Sequence, residues 1–269
     1  MNQVNRVGMS LGFNKYQYYP HATLEGCGQD AQDMRELIFR GRLGLTYDST
    51  AVLLDKDGTR KNIDETLEML LCSYSWIKTV LFSSSGHGTK NPSSIEPDGV
   101  EGALVCYDTQ DLLGQEVCDP DTLYTESHLF SFLARVPINC LFEAFIDACF
   151  AGELAEPKTR TTLTGRAYTT RVLPRRRLVK PYLTRVLNER PNTTVIWAAS
   201  QPDQTSAEAF LGGKSRGAFT YFLCQKLTAD IPRKDLLLSV TAALKAEGFS
   251  QRPMLLCSDR LMELPVGSF

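Results

Sequence analysis

Six short runs along this chain are apolar or β-branched almost without interruption: Val7 to Phe13, Ala51 to Leu54, Thr79 to Ser83, Ala103 to Tyr107, Cys140 to Ile146 and Thr194 to Ala199. A strand with one wet face alternates polar and apolar residues, so runs like these belong to strands covered on both sides. The segments between them repeat apolar residues at helical spacing. Asp30 to Phe39 carries Met34, Leu37 and Ile38, and Asn62 to Leu71 carries Ile63, Leu67 and Leu70 or Leu71. Leu123 to Leu133, Gly217 to Leu227 and Lys234 to Lys245 follow the same pattern, and Met254 to Cys257 offers a last strand. This β-α-β rhythm predicts an α/β fold, an open, mostly parallel sheet with helices on both faces.

One stretch breaks the rhythm. From residue 153 to 179 the chain has Thr, Arg, Gly and Pro but little apolar periodicity, and it exceeds the usual length of a connection. It is expected to be a flexible loop within one domain, between a longer part (1–152) and a shorter part (180–269). Charge changes sign across the same boundary. Between Asn91 and Asp147 lie eleven acids and one base, Arg135; from Lys158 to Arg190 lie ten bases and one acid, Glu189. The net charge of −2 argues against a general nucleic-acid surface, while the segregation points to the loop. The opening residues lack an apolar run behind a basic head, and no segment approaches the roughly 20 apolar residues of a membrane span. No membrane partner and a cytoplasmic location are expected. Eight cysteines without a CxxC pair are expected to be mainly buried free thiols rather than disulfides or a zinc site.

Sites in open α/β sheets form at the carboxyl ends of strands. Thr79 to Ser83 runs into Ser84-Ser85-Gly86-His87-Gly88, and Cys140 to Ile146 runs into Asp147-Ala148-Cys149-Phe150-Ala151-Gly152. Cys149 and His87 together form the minimum for thiol catalysis: the imidazole takes the thiol proton and the thiolate attacks a carbonyl. The backbone N–H groups of Gly88 and Cys149 are candidate donors to the resulting oxyanion. After the first strand, Gly26-Cys27-Gly28-Gln29-Asp30-Ala31 opens a helix. If the three strands are neighbours, Asp30, Ser85 and Asp147 converge beside Cys149, and paired carboxylates receive a guanidinium well. His21, before the first helix, and His128, inside a helical pattern, suit structural roles.

These motifs resemble a known family. Gly26-Cys27-x-x-Asp30-Ala31, Ser85-Gly86-His87-Gly88 and Asp147-x-Cys149-x-Ala151-Gly152, in this order, look like the caspase-like cysteine peptidases of family C14, in their metacaspase and bacterial orthocaspase branch. Asn14-Lys15-Tyr16, Thr59-Arg60, Asp98-Gly99 and Ala199-Ser200 extend the resemblance over most of the chain. It implies a caspase-hemoglobinase fold with a six-stranded sheet, His87 as general base and Cys149 as nucleophile. It also implies cleavage of protein or peptide substrates after Arg or Lys, with Asp30 and Asp147 holding the cation and Cys27 and Ser85 lining the pocket. No cofactor is required for such chemistry. Calcium activates many relatives, and Asp98, Glu101, Asp108 and Asp111 are the candidate ligands, although the pattern is sparser than the six to eight oxygens calcium takes.

The loop concentrates residues that such a pocket accepts, so Arg160, Arg166, Arg171, Arg175, Arg176 and Arg177 are candidate processing sites, cut by the chain itself or by an upstream protease, with a separate sensor protein as a further expected partner. Two alternatives stay open: a non-catalytic partner-binding module, and another cysteine acyl hydrolase on a similar sheet.

Overall fold

The computed structural model describes residues 6–73, 76–92, 99–112, 118–148, 159–162, 164–170, 184–201 and 204–269. The first half contains β1 (Arg6–Gly12), α1 (Cys27–Asp33), which runs on as a π-helix over Met34–Arg42, β2 (Thr50–Leu54), α2 (Arg60–Cys72), β3 (Thr79–Ser85), β4 (Gly88–Pro92), β5 (Val100–Leu104), β6 (Tyr124–Thr125), α3 (Glu126–Leu133) and β7 (Leu141–Asp147). The second contains β8 (Thr159–Thr161), β9 (Ala167–Thr170), α4 (Thr184–Glu189), β10 (Thr194–Ala198), β11 (Ala207–Leu211), β12 (Lys214–Gly217), α5 (Ala218–Lys226), α6 (Arg233–Ala246), β13 (Met254–Leu256) and α7 (Asp259–Met262).

The central sheet has six strands in the order β13-β10-β7-β3-β1-β2, parallel except for β13, which runs antiparallel to β10. Its inner strands β1, β3, β7 and β10 bury both faces, as their continuous apolar sequence requires. Val80 and Phe82 of β3 pack with Ile63, Leu67 and Leu70 of α2 and Leu129 and Phe132 of α3. Leu81, one residue out of phase, packs with Phe219 and Leu223 of α5 and Leu236 and Val240 of α6 on the other side. Each such side chain, fully buried, contributes about 1.5–3 kcal/mol.

Two expectations are corrected. The run Ala103 to Tyr107 is not a central strand: β5 pairs antiparallel with β4 and β6 in a separate three-stranded sheet. The chain between β3 and β5 is occupied by β4, which pairs antiparallel with β5 in place of a helical crossover back to the central sheet, so β4 and β5 form a small meander beside the sheet end. Within 153–179, expected as a loop, Thr159–Thr161 and Ala167–Thr170 are antiparallel strands. They join β11 and β12 in a second sheet of order β12-β11-β9-β8. Threonine and tyrosine favour strands without giving an apolar alternation, which hides such short elements from a periodicity search.

Close backbone contacts bring the site elements together. A Cβ on Gly12 would lie 2.4 Å from the Cys27 carbonyl oxygen, so α1 begins directly on the end of β1. A Cβ on Gly26 would lie 2.7 Å from the Arg216 Cα, which holds β12 against the entry to α1. Far from this end, the wholly buried Arg233 pairs with Glu143 at 2.8 Å, and Glu143 also accepts from Trp197 Nε1 at 2.9 Å and the Gly267 N–H at 2.7 Å.

Candidate active site

His87 follows β3 by two residues and is buried. Its backbone is held from both sides: the His87 N–H donates to Tyr16 Oη at 2.9 Å, and its carbonyl accepts the Val105 N–H at 3.1 Å. Tyr16 Oη in turn donates to the Phe13 carbonyl at 3.1 Å. The imidazole Nε2 lies 2.8 Å from the Ala22 carbonyl oxygen, which can only accept, so Nε2 carries the hydrogen. The basic lone pair of the neutral ring is therefore on Nδ1. This fixes which nitrogen can take a proton.

The ends of β3 and β7 are level, with Ser85 opposite Asp147. Ser85 Oγ donates to Asp30 Oδ2 at 2.7 Å, joining the first turn of α1 to the same place. Both carboxylates are buried, and the N-terminal end of α5 serves both. The Gly217 N–H donates to Asp30 at 2.9 and 3.0 Å, and Thr220 donates to Asp147 Oδ2 through its N–H at 3.2 Å and its hydroxyl at 2.8 Å. Ser206 Oγ also donates to Asp147 Oδ1. Oriented amides and the positive end of a helix favour negative charge, which is how two acids are tolerated side by side.

A third acid joins them. Glu208, on β11, is buried, accepts the Glu25 N–H at 2.8 Å, and stands 3.8 Å from the Cys27 thiol, which donates to it. Glu208 lies opposite Gly217, whose N–H holds Asp30. The structure thus brings Cys27, Asp30, Ser85, Asp147 and Glu208 together at the His87 end of the sheet. Cys149 lies outside the described residues, two positions beyond Asp147. Gly88 opens β4 immediately after His87.

The other candidates are dispersed. Arg166 donates to Glu247 Oε2 at 2.7 Å and to the Phe210 carbonyl at 2.9 Å; Arg160 lies in β8; Arg171, Arg175, Arg176 and Arg177 lie outside the described residues. Glu101 accepts from Asn91 Nδ2 at 3.2 Å and from the Ser127 N–H and hydroxyl at 2.9 and 2.8 Å, serving the start of α3. Asp108 faces the Arg60 N–H at 3.4 Å, Asp111 forms a β-bridge with Cys118, and Asp98 lies outside the described residues. Among the described residues no group of three or more His, Cys, Asp or Glu side chains gathers as a metal site. His128 caps α3 reciprocally with Thr125, and His21 meets the Tyr19 ring edge-on. The seven described cysteines are free thiols, and Cys72 among them is exposed.

The caspase-domain family model matches residues 7–264. The chain belongs to the caspase-domain peptidase family. Metacaspase-1 of the yeast Meyerozyma guilliermondii is 23% identical over 277 aligned positions, covering 86% of this caspase-domain chain; the chain spans 65% of that relative's length. Among solved structures, a protein from Geobacter sulfurreducens has a TM-score of 0.64 at 17% identity, covering 97% of both chains. Caspase-1 from Spodoptera frugiperda has a TM-score of 0.57 at 12% identity, covering 98% of this chain and 92% of its own. This chain shares its fold with both solved structures. Among the described residues no helix is long and apolar enough to cross a membrane.

Sequence reading missed Glu208, Ser206, Thr220 and the amide of Gly217. Ser206 and Glu208 sit in Thr205-Ser206-Ala207-Glu208-Ala209, where alternation of small and polar residues was a weak strand signal. Thr220 carries no signal at all, because its contribution depends on where α5 starts.

Proposed function

We propose that this chain is a cysteine endopeptidase that hydrolyses protein or peptide substrates after Arg or Lys, and that cleavage in its own basic linker regulates it. The observation that supports this most is the convergence of three carboxylates, from α1, β7 and β11, at the strand ends beside His87. A guanidinium offers five donors in a planar fork and suits such a receptor better than any neutral side chain.

In this reading His87 Nδ1 takes the Cys149 thiol proton while Nε2 stays bound to the Ala22 carbonyl. The thiolate adds to the carbonyl carbon of the substrate residue seated in the pocket. The N–H groups of Gly88 and Cys149 receive the oxyanion, and collapse breaks the C–N bond as His87 returns the proton to the departing amine. Water then hydrolyses the thioester and restores the thiol.

A scan of peptides differing only at the residue before the cut, on wild type and Cys149→Ala, with and without calcium, tests the proposal. Turnover confined to Arg and Lys and absent from Cys149→Ala is expected. Equal turnover across residues would remove the acidic-pocket argument, and none under any condition would favour the partner-binding module.

A further inference from the structure

We propose that Asp33 and Arg216 are positioning residues for substrate recognition: their ion pair, outside the acid cluster, sets the Gly217 amide on Asp30 and so the grip of Asp30 on the substrate's cation. This rests on the peptidase function and the Arg or Lys preference proposed above.

Strand β12 is the edge of its sheet and pairs there with β11 alone. An edge strand keeps one row of backbone groups free, and here that side meets α1. Gly217, the last residue of β12, gives its N–H to both oxygens of Asp30. A pocket acid is therefore held by a donor nearly two hundred residues away in sequence, and the grip is only as good as the placement of β12 on α1.

Three side chains spaced four apart in sequence make that placement. Glu25, just ahead of α1, accepts from Ser215 Oγ at 3.1 Å; Gln29 Oε1 accepts from Lys214 Nζ at 2.8 Å; and Asp33 Oδ2, at the end of α1, accepts from Arg216 Nε at 2.6 Å. The first two contacts are exposed and screened by water, whereas the side chains of Asp33 and Arg216 are each only 13% exposed. The ion pair therefore dominates the docking. Both of its members are fixed before they meet. Gln29 Nε2 donates to the other oxygen of Asp33 at 2.7 Å, and Arg216 Nη1 donates to the Leu211 and Gly212 carbonyls of the hairpin turn at 2.7 and 3.3 Å. The Arg216 guanidinium carbon also lies 5.7 Å from the centre of the Tyr221 ring on α5. A planar fork that serves a carboxylate and two carbonyls at once has no equivalent in an ammonium group.

The pair adjoins the grip on both sides. Arg216 immediately precedes Gly217, and Asp33 follows Asp30 by three residues, on the same side of the helix. Loosening it lets the Gly217 amide move off Asp30, and a carboxylate without its oriented donor receives a guanidinium in a poorer geometry. The base is held by other groups, Tyr16, Val105 and the Ala22 carbonyl, so the pair acts on binding rather than on the chemical step.

The test is steady-state kinetics on paired peptides that differ only in Arg or citrulline before the cut, with active enzyme counted by active-site titration. Asp33→Asn should raise KM for the Arg peptide by about tenfold, the worth of one charge-assisted hydrogen bond, with kcat within about twofold and the citrulline peptide little changed. Asp33→Glu, which keeps the charge, should recover most of the loss. Arg216→Lys keeps the charge but not the fork, and should raise KM for Arg by about threefold or more; should Asp33→Asn fail to fold, this variant carries the comparison. A lowered Tm with KM and the Arg-to-citrulline ratio unmoved would mark the pair as merely structural and overturn the proposal, as would a fall in kcat at constant KM. A wild type that turns over neither peptide, or does not distinguish them, refutes the function proposed above, whereas a wild type that prefers Arg and is matched by Asp33→Asn refutes this proposal alone.

Discussion

Replacing Glu208 with Gln removes one negative charge from the acid cluster while keeping its shape and an oxygen to accept the Glu25 N–H. Glu208 is 4% exposed, so water screens it weakly. A guanidinium seated among these acids would have its charge about 4–5 Å from that carboxylate, and at an effective dielectric of about 20 the attraction is about 3–4 kcal/mol. Water shed by both groups offsets part of this, leaving about 2–3 kcal/mol, or ~30- to 150-fold in kcat/KM. The assay measures kcat/KM for paired peptides that differ only in Arg or citrulline, its neutral isostere, before the cut. Glu208→Gln should lower the Arg value by that factor and leave citrulline within about threefold, so the Arg-to-citrulline ratio collapses. A preserved ratio, with both substrates slowed alike, would show that Glu208 supports β11 without sensing the substrate's charge, and would refute the reasoning.

Further outcomes follow from the same geometry. Arg233→Leu strands the wholly buried Glu143 without its cation, and should cost about 3–5 kcal/mol, lowering Tm by about 10 °C; a loss below about 1 kcal/mol would contradict the pairing. His128 accepts the Thr125 N–H on Nδ1, and burial, with help from the Arg60 charge, holds its pKa below the ordinary 6.5. The folded state then binds fewer protons than the unfolded one, so the capping stability is full above pH 6.5 and is lost as pH falls below it; urea midpoints from pH 5 to 7 should fall more steeply for wild type than for His128→Gln, and equal slopes would contradict this. Burial raises the thiol pKa of Cys140 to about 12 and that of Cys224 well above its ordinary value, so brief alkylation of native protein at pH 8 should spare both and label the exposed Cys72; labelling of Cys224 before unfolding would contradict the packing.

The central sheet was legible because buried parallel strands leave an uninterrupted apolar signature, and β1, β2, β3, β7 and β10 fall where those runs predict. Strand β5 misled because the same composition suits a meander whose partners lie next to it in sequence. The β11–β12 hairpin did carry a signal, Gly212-Gly213, and both glycines have positive φ, 58° and 83°, as a tight two-residue turn needs. Asp30, in the first turn of α1, and Asp147, the last residue of β7, were named from their motifs, and Ser85, bonded to one and opposite the other, links them. Glu208 was not named, since it reaches the site through pairing between β11 and β12 and through contact with Cys27, both long-range consequences of the fold. The basic segment after Cys149 was legible as charge, while its pairing to β11 needed the register.

The most direct measurement is covalent labelling of the native protein by a peptide carrying an electrophile at a C-terminal Arg, beside the same peptide ending in citrulline, with the adduct located by mass spectrometry. The account predicts one adduct, on Cys149, forming far faster with Arg than with citrulline and suppressed in His87→Ala and Asp30→Asn. Equal rates for the two peptides, or an adduct on Cys72 in place of Cys149, would contradict it.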